Sequence, residues 1–257
     1  MSVKTISSYN VNGIRAAVKK GLLAWLEQTN PDIICFQEMR ASEVEIEASL
    51  PETTYHAYHA IAEKKGYSGV SIFSKEPAIK VERGLGVDWI DAEGRVILAE
   101  FDAFILVSAY FPSGTTGDVR QDMKMKFLEH MTRYATQLLK RNKPLLICGD
   151  FNICHKEIDI HNPSKQHKTS GFLPEERAWV DEFLNTGLHD AYRLLHPEKK
   201  DMYSWWSYRA GSKSRNKGWR IDYHMISSDL VSRVQDANME KEWDMSDHVP
   251  VTITYSI

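Results

Sequence analysis

The stretch that most constrains this chain is Leu145-Leu146-Ile147-Cys148-Gly149-Asp150-Phe151-Asn152. Its unbroken apolar run, bounded upstream by Lys143-Pro144, predicts a short strand buried on both faces. The run then stops on a glycine, a carboxylate and an amide. In an extended chain Asp150 and Asn152 project to one side, while Phe151 points back to the core. An anionic oxygen beside an amide on a rigid strand end suits two jobs. It can bind a hard metal ion, or it can deprotonate and hold a water molecule. A plain Asp/Asn turn has the same composition, so the rest of the chain has to decide.

The 257 residues suffice for one domain or two. Predicted strands and helices alternate, with hairpin-like pairs among them and no Gly/Ser linker, low-complexity segment or repeat. The expectation is therefore one α/β domain with mixed sheets spanning 1–257. Thr5 to Gly13, Asp32 to Glu38 and Ser68 to Ser74 read as strands. Arg95 to Phe111 reads as a hairpin turning near Asp102-Ala103, and Trp219 to Ile226 and Val251 to Tyr255 as later strands. One helix is expected from Gly13 to Asn30-Pro31, a short one from Ser42 to Leu50, and one from Pro174 to Gly187. The longest carries Met123, Phe127, Met131, Tyr134 and Leu138 as its apolar stripe. The segments His155–Gly171 and Tyr203–Gly218 read as loops, and the histidines at 155–167, 189 and 196 as surface or loop residues.

A net charge of −3 excludes a globally basic nucleic-acid coat but permits a local basic face. The three cysteines, Cys35, Cys148 and Cys154, have no metal-binding spacing, and two lie inside apolar runs. They are expected to be reduced core residues of an intracellular, cytoplasmic protein. Met1 to Ile6 has no signal-peptide pattern. No run approaches the roughly 18 apolar residues of a membrane span.

Polar groups recur beside the ends of apolar strands: Asn10 and Asn12, Glu38, Tyr110, Asp150 and Asn152, Asp222, and Asp247-His248. Six such ends suggest rigid strands delivering side chains to one cleft. Carboxylates and amides suit Mg²⁺, Mn²⁺ or Ca²⁺ rather than structural zinc. Phosphate-cradle, dinucleotide and serine-elbow motifs are absent. Metal-assisted attack of water on a phosphate ester remains. General base catalysis supplies only about 10²–10⁴-fold, so a metal and charge-stabilising donors must add the rest.

These stretches, with Gly66-Tyr67-Ser68-Gly69-Val70, Ala109-Tyr110-Phe111-Pro112, Ser170 to Arg177 and Trp219-Arg220-Ile221-Asp222-Tyr223, resemble the exonuclease III family of apurinic/apyrimidinic (AP) endonucleases. That family lies within the endonuclease/exonuclease/phosphatase superfamily, and the resemblance covers essentially the whole chain. It implies a four-layer α-β-β-α sandwich of two mixed sheets flanked by helices, with the site at one end of the sheets. It implies Mg²⁺, with Mn²⁺ as a substitute, held chiefly by Glu38 with Asn10 and Asp247; Asp150, Asn152 and His248 lie around the same ion. Asp150 would activate water that Asn152 orients. His248, held by Asp222, would stabilise the phosphate, and Tyr110 would contact it or assist the leaving oxygen. Asn12 stands where many relatives carry Asp.

Trp205, Trp219 and Ile221 match a pocket for a flipped-out abasic sugar. An abasic site has no base to unstack, so extrusion is cheap. Arg209 and Lys217, with their basic neighbours, give a phosphate-tracking loop, and Arg15, Lys20 and Tyr67 are further DNA-backbone candidates. The implied partner is double-stranded DNA with abasic sites or blocked 3′ ends, met by a monomer. The implied reaction is cleavage 5′ to the abasic site, leaving a 3′-hydroxyl, with 3′-end trimming besides. An inositol-phosphate phosphatase of the same fold and a catalytically dead binding module are the rival readings.

Overall fold

The computed structural model describes residues 2–50 and 54–257; Met1, part of the segment read for a leader, lies outside them. Twelve strands form two six-stranded sheets among these residues. The first sheet contains β1 (Val3–Asn10), β2 (Ile33–Gln37), β3 (His56–Ala60), β4 (Val70–Ser74), β11 (Val234–Met239) and β12 (Val251–Ser256), in the order β11-β12-β1-β2-β4-β3. The second contains β5 (Lys80–Arg83), β6 (Val96–Glu100), β7 (Ile105–Tyr110), β8 (Leu145–Asp150), β9 (Leu188–Asp190) and β10 (Asp222–Ser227), in the order β5-β6-β7-β8-β10-β9.

Both sheets share one plan. A parallel pair sits at the centre, β1 with β2 and β7 with β8, and the named neighbours on either side are antiparallel. Each parallel pair needs a crossover, and helices supply it. Between β1 and β2 run α1 (Ile14–Lys19) and α2 (Leu22–Thr29). This corrects the single helix expected there: Gly21, at φ 107°, breaks it in a left-handed turn that favours glycine. The other helices are α3 (Glu43–Ser49), α4 (Asp88–Asp91), α5 (Asp118–Leu139), α6 (Pro174–Asn185) and α7 (Ala191–Leu195). The crossover between β7 and β8 is α5.

Alternation along β8 shows how the layers form. Leu146 and Cys148 join the core between the sheets, with Ile33, Cys35, Leu106 and Ile253. Leu145 and Ile147 face the other way, onto Phe127, Met131 and Phe183 of α5 and α6. On the far side, Tyr9 and Phe36 pack beneath Trp25 and Ile46 of α2 and α3. A strand buried on both faces has to be apolar throughout, which is why the opening run is unbroken. The expected four-layer sandwich is the observed fold.

Gly149 limits how closely β7 and β8 approach. Its φ is 145°, and a Cβ there would lie 1.9 Å from the Ala109 carbonyl oxygen. That oxygen belongs to backbone and has no freedom to move aside. We expect Gly149→Ala to lower unfolding free energy by about 3 kcal/mol in urea denaturation; an unchanged midpoint would contradict this packing.

The segment leading into β10 is tied down by charge. The Arg220 guanidinium is fully buried, with its Nε 2.7 Å from Asp159 Oδ1 and its Nη2 2.7 Å from Asp190. Arg193 also donates to Asp159 Oδ1, at 2.5 Å. Burial pushes the Asp159 carboxyl up, but the two arginines outweigh it and hold it at about 2. A depressed carboxyl stabilises the fold above its unfolded pKa near 4 and ceases to do so as pH falls through about 2. We expect Asp159→Asn, which leaves buried Arg220 without this partner, to cost about 3–5 kcal/mol at pH 7. The gap from wild type should hold down to about pH 4 and then close, read by denaturation across a pH series. A gap independent of pH would refute this.

Candidate active site

The central parallel strands of the two sheets end at the same edge of the sandwich. That places Asn10 (β1), Glu38 (after β2), Tyr110 (β7) and Asp150 (β8) together. The antiparallel neighbours begin there, contributing Asp222 at the start of β10 and Asp247-His248 just before β12. Clustering of groups at strand ends around a parallel centre is the usual way open α/β sheets make a ligand crevice.

Asp150 is 1 % exposed. Its Oδ1 accepts from the Asn152 backbone N–H at 2.8 Å, and its Oδ2 accepts from the Asn10 amide at 2.9 Å and the Asn152 amide at 3.3 Å. The two side chains meet because β8 ends at Asp150 and Asn152 turns back at φ 53°. This corrects the expectation of extended alternation: an Asx-type turn makes the pair. Phe151 does point into the core, stacked on Phe111 at 4.1 Å. The Asn152 amide also donates to the Phe111 carbonyl at 2.9 Å, so both residues are held on β7's continuation.

His248 Nδ1 lies 2.9 Å from Asp222 Oδ2, and its Nε2 lies 3.7 Å from Asp150 Oδ2. Burial disfavours an imidazolium, yet Asp222 and Asp150 overcome it and raise the histidine to about 10. Burial, aided by Asp222, raises Asp150 to about 7, against the pull of His248. The ring is therefore held as a cation, and Asp150 is left easily protonated. Asp222 Oδ1 has no hydrogen-bond partner although it is buried. Its ligand atoms, with those of Asp150 and His248, lie within 4.8 Å of one another.

Glu38 follows β2 in a left-handed conformation, φ 57°. Its Oε2 accepts from the Asn10 amide at 3.0 Å and its Oε1 from Arg40. Asn10 therefore bridges Glu38 and Asp150 through its nitrogen, while its oxygen accepts from the Asn12 N–H at 2.9 Å. Asp247 Oδ1 accepts from the Asn12 amide at 2.8 Å and its Oδ2 from the Trp205 indole at 3.0 Å. Burial raises the Asp247 carboxyl, but His248 and these donors more than offset it, leaving it lowered. Asn12 thus orients Asp247. Carboxylate oxygens gathered in this way suit a small, hard cation. Glu38, Asp150 and Asp247 line the cavity described below, and among the described residues Asp150, Asp222 and His248 are close enough together to hold an ion.

Tyr110 is half-buried, with the Arg95 guanidinium 4.8 Å from its ring centroid. Burial and the charge of Glu38 raise its phenol well above the ordinary range, so it is a hydroxyl donor at neutral pH. Trp205 and Trp219 meet edge to face at 5.9 Å and 87°, and pack with Ile221, Phe172 and Ile160 in a cluster of their own. A cavity of about 420 Å³ joins the two regions: Tyr110, Asp150, Asn152 and His248 line it together with Trp205, Trp219 and Ile221. A second cavity of about 490 Å³, near His155 and Arg193, contains none of these.

The basic candidates lie outside the cavity. Arg15 pairs with Glu45 at 2.7 Å, and Lys20 sits 5.5 Å from the Tyr208 ring centroid. Arg209 and Lys217 are exposed. The Tyr67 hydroxyl accepts from Arg95 and Arg120, each at 3.0 Å, so it braces the arginine beneath Tyr110. His155, expected as a surface or loop residue, lies in the loop after β8 but is buried there and bonded to Asp181 at 2.8 Å. Sequence reasoning also missed Lys124 and Glu176, which are fully buried beside Asn152. The signal was present for Lys124, which falls on the stripe made by Phe127, Met131 and Leu138, where an apolar residue is expected.

The endonuclease/exonuclease/phosphatase family matches residues 7–248. The chain is 40 % identical to an exodeoxyribonuclease of Bacillus subtilis, over 97 % of this chain and 98 % of that protein. It is 39 % identical to the DNA repair nuclease APEX1 of Danio rerio, over 98 % and 82 %. An AP endonuclease structure from Archaeoglobus fulgidus superposes with TM-score 0.91 at 28 % identity, covering 99 % and 100 % of the two chains. A 3′ phosphatase from Neisseria, solved with product DNA hairpin, gives TM-score 0.91 at 26 % identity, again covering 99 % and 100 %. With a full-length match in sequence and in fold, the chain belongs to the endonuclease/exonuclease/phosphatase family, in its exonuclease III and AP endonuclease branch.

Proposed function

We propose that this protein is a Mg²⁺-dependent DNA repair nuclease that cleaves the phosphodiester 5′ to an abasic site, leaving a 3′-hydroxyl, and that it also trims 3′ ends. The observation that carries this reading is the single cavity shared by the carboxylate–histidine cluster and the tryptophan pocket. A phosphate-cleaving centre alone suits many substrates. One that opens directly onto a small aromatic enclosure suits a sugar without its base.

Glu38, with Asp247 and Asn10, would hold Mg²⁺, which supplies charge stabilisation at the phosphate and Mn²⁺ can replace. Asp150 takes the proton from the attacking water, and Asn152, fixed to it and to Phe111, orients that water. The His248 imidazolium, kept charged by Asp222, faces the developing negative charge on phosphorus-bound oxygen. Tyr110 donates its proton or a hydrogen bond on the same side. Trp205, Trp219 and Ile221 receive the extruded sugar. Arg15, Lys20, Arg209 and Lys217 present positive charge to flanking phosphates; Tyr67 acts through Arg95. The protein works on double-stranded DNA as a monomer, and no helix among the described residues is long and apolar enough to cross a membrane.

Asp150→Asn should nearly abolish incision while leaving abasic-DNA binding measurable by gel shift; near-normal turnover would overturn the assignment. Trp219→Ala should reduce abasic incision more than release of a 3′ phosphate in steady-state kinetics. Equal losses on both substrates would remove the sugar-pocket role and favour a general phosphatase.

A further inference from the structure

Two residues with no part in the proposed chemistry have an unusual position. Lys124 on α5 and Glu176 on α6 form an ion pair of 2.5 Å, and neither has any exposed surface. Removing an ammonium and a carboxylate from water costs several kcal/mol per ion, so the pair needs good geometry and further hydrogen bonds to persist. Those further bonds run to Asn152, which lines the active-site cavity, and to the segment just after Ser170, which also lines it.

Lys124 Nζ donates to the Asn152 carbonyl at 2.9 Å, at the left-handed residue that follows Asp150 and Phe151. Glu176 Oε2 accepts from the backbone N–H groups of Gly171, at 2.6 Å, and Leu173, at 3.0 Å. Its Oε1 accepts from the Gln121 amide at 3.0 Å, and Gln121 in turn accepts from the Ser170 hydroxyl at 2.7 Å. Ser170 lines the cavity. Gly171 packs so close to Trp219 that a Cβ there would lie 2.9 Å from the indole ring. One buried pair therefore grips the turn that carries Asn152 and the segment that backs the tryptophan pocket.

We propose that Lys124 and Glu176 are positioning residues for phosphodiester cleavage: the pair fixes the Asn152 turn against α5 and sets the wall behind Trp219. The inference rests on the role given above to Asn152. A pair that served only as a fold staple would be replaceable, since buried ion pairs often give way to apolar side chains with little loss. A positioning pair is not replaceable in that sense. Misplacement of a catalytic group by about 1 Å costs roughly 100-fold in rate.

The test is a double-mutant cycle on the full chain with an abasic duplex in Mg²⁺, using Lys124→Met, Asn152→Ala and the double variant, with melting curves for each. Lys124→Met should lower kcat about 100-fold. It should change KM only slightly, and should add less than about threefold when Asn152 is already alanine. The same fold-loss in both backgrounds would overturn the proposal. So would wild-type kcat per folded molecule with only a lower melting temperature. If Lys124→Met fails to fold, Glu176→Gln, which keeps the size and removes a charge, enters the same cycle with the same expectation. Wild-type rates in Asn152→Ala would overturn the clamp together with the role of Asn152, while metal-dependent incision by the unaltered chain would keep the nuclease reading standing.

Discussion

One amide nitrogen sits between the two sheets at their working edge. Asn10, at the end of β1, donates to Glu38 beside it and to Asp150 across the sandwich, at 3.0 and 2.9 Å. It can do so only because the two parallel centres run in the same direction and their strands stop at the same level. Everything else at the site is hung from that alignment. The Asp222–His248 pair enters on the antiparallel neighbours. The Trp205–Trp219 pocket follows because both indoles lie in the segments that lead into those strands, bridged backbone to backbone with each other and with His248.

The alignment concentrates like charge, and the protein answers it in three ways. Asp150 is left easily protonated, at about 7, by burial and by Asp222. His248 is kept as a cation, at about 10. Glu38 and Asp247 are given hydrogen-bond donors from Arg40, Asn10, Asn12 and Trp205. A strongly negative floor with one fixed cation at its side is a poor place for a neutral ligand and a good one for a metal-bound phosphate. In the proposed reading the adjoining indoles exclude a nucleotide that keeps its base, so that charge would decide the chemistry and shape the substrate.

How far the fold was readable followed from burial. Strands covered on both faces, such as β2, β7 and β8, are apolar throughout and stood out in the sequence. The four strands that escaped notice, β3, β5, β9 and β11, are the edge strands of the two sheets. Edge strands carry polar residues that discourage further pairing, as in Lys80-Val81-Glu82-Arg83, and so lose the apolar signature. At the site, the strand ends that come together around one cavity were legible in the sequence, but their contacts were not. The Asx-type turn at Asn152 replaced an extended pairing, and Asn12 proved to brace Asp247. Lys124 and Glu176 were hidden because a buried charge looks like a surface charge until its partner, 52 residues away, is in place.

The central claim is that one cavity joins phosphate cleavage to recognition of a baseless sugar. A labelled duplex containing a single abasic site, incubated with EDTA, Mg²⁺ or Mn²⁺ and resolved with its fragment ends mapped, tests it most directly. The account predicts no cut in EDTA. With either metal it predicts a single break immediately 5′ to the abasic site, ending in a 3′-hydroxyl. Cleavage that persists in EDTA, or breaks placed without regard to the abasic site, would contradict it.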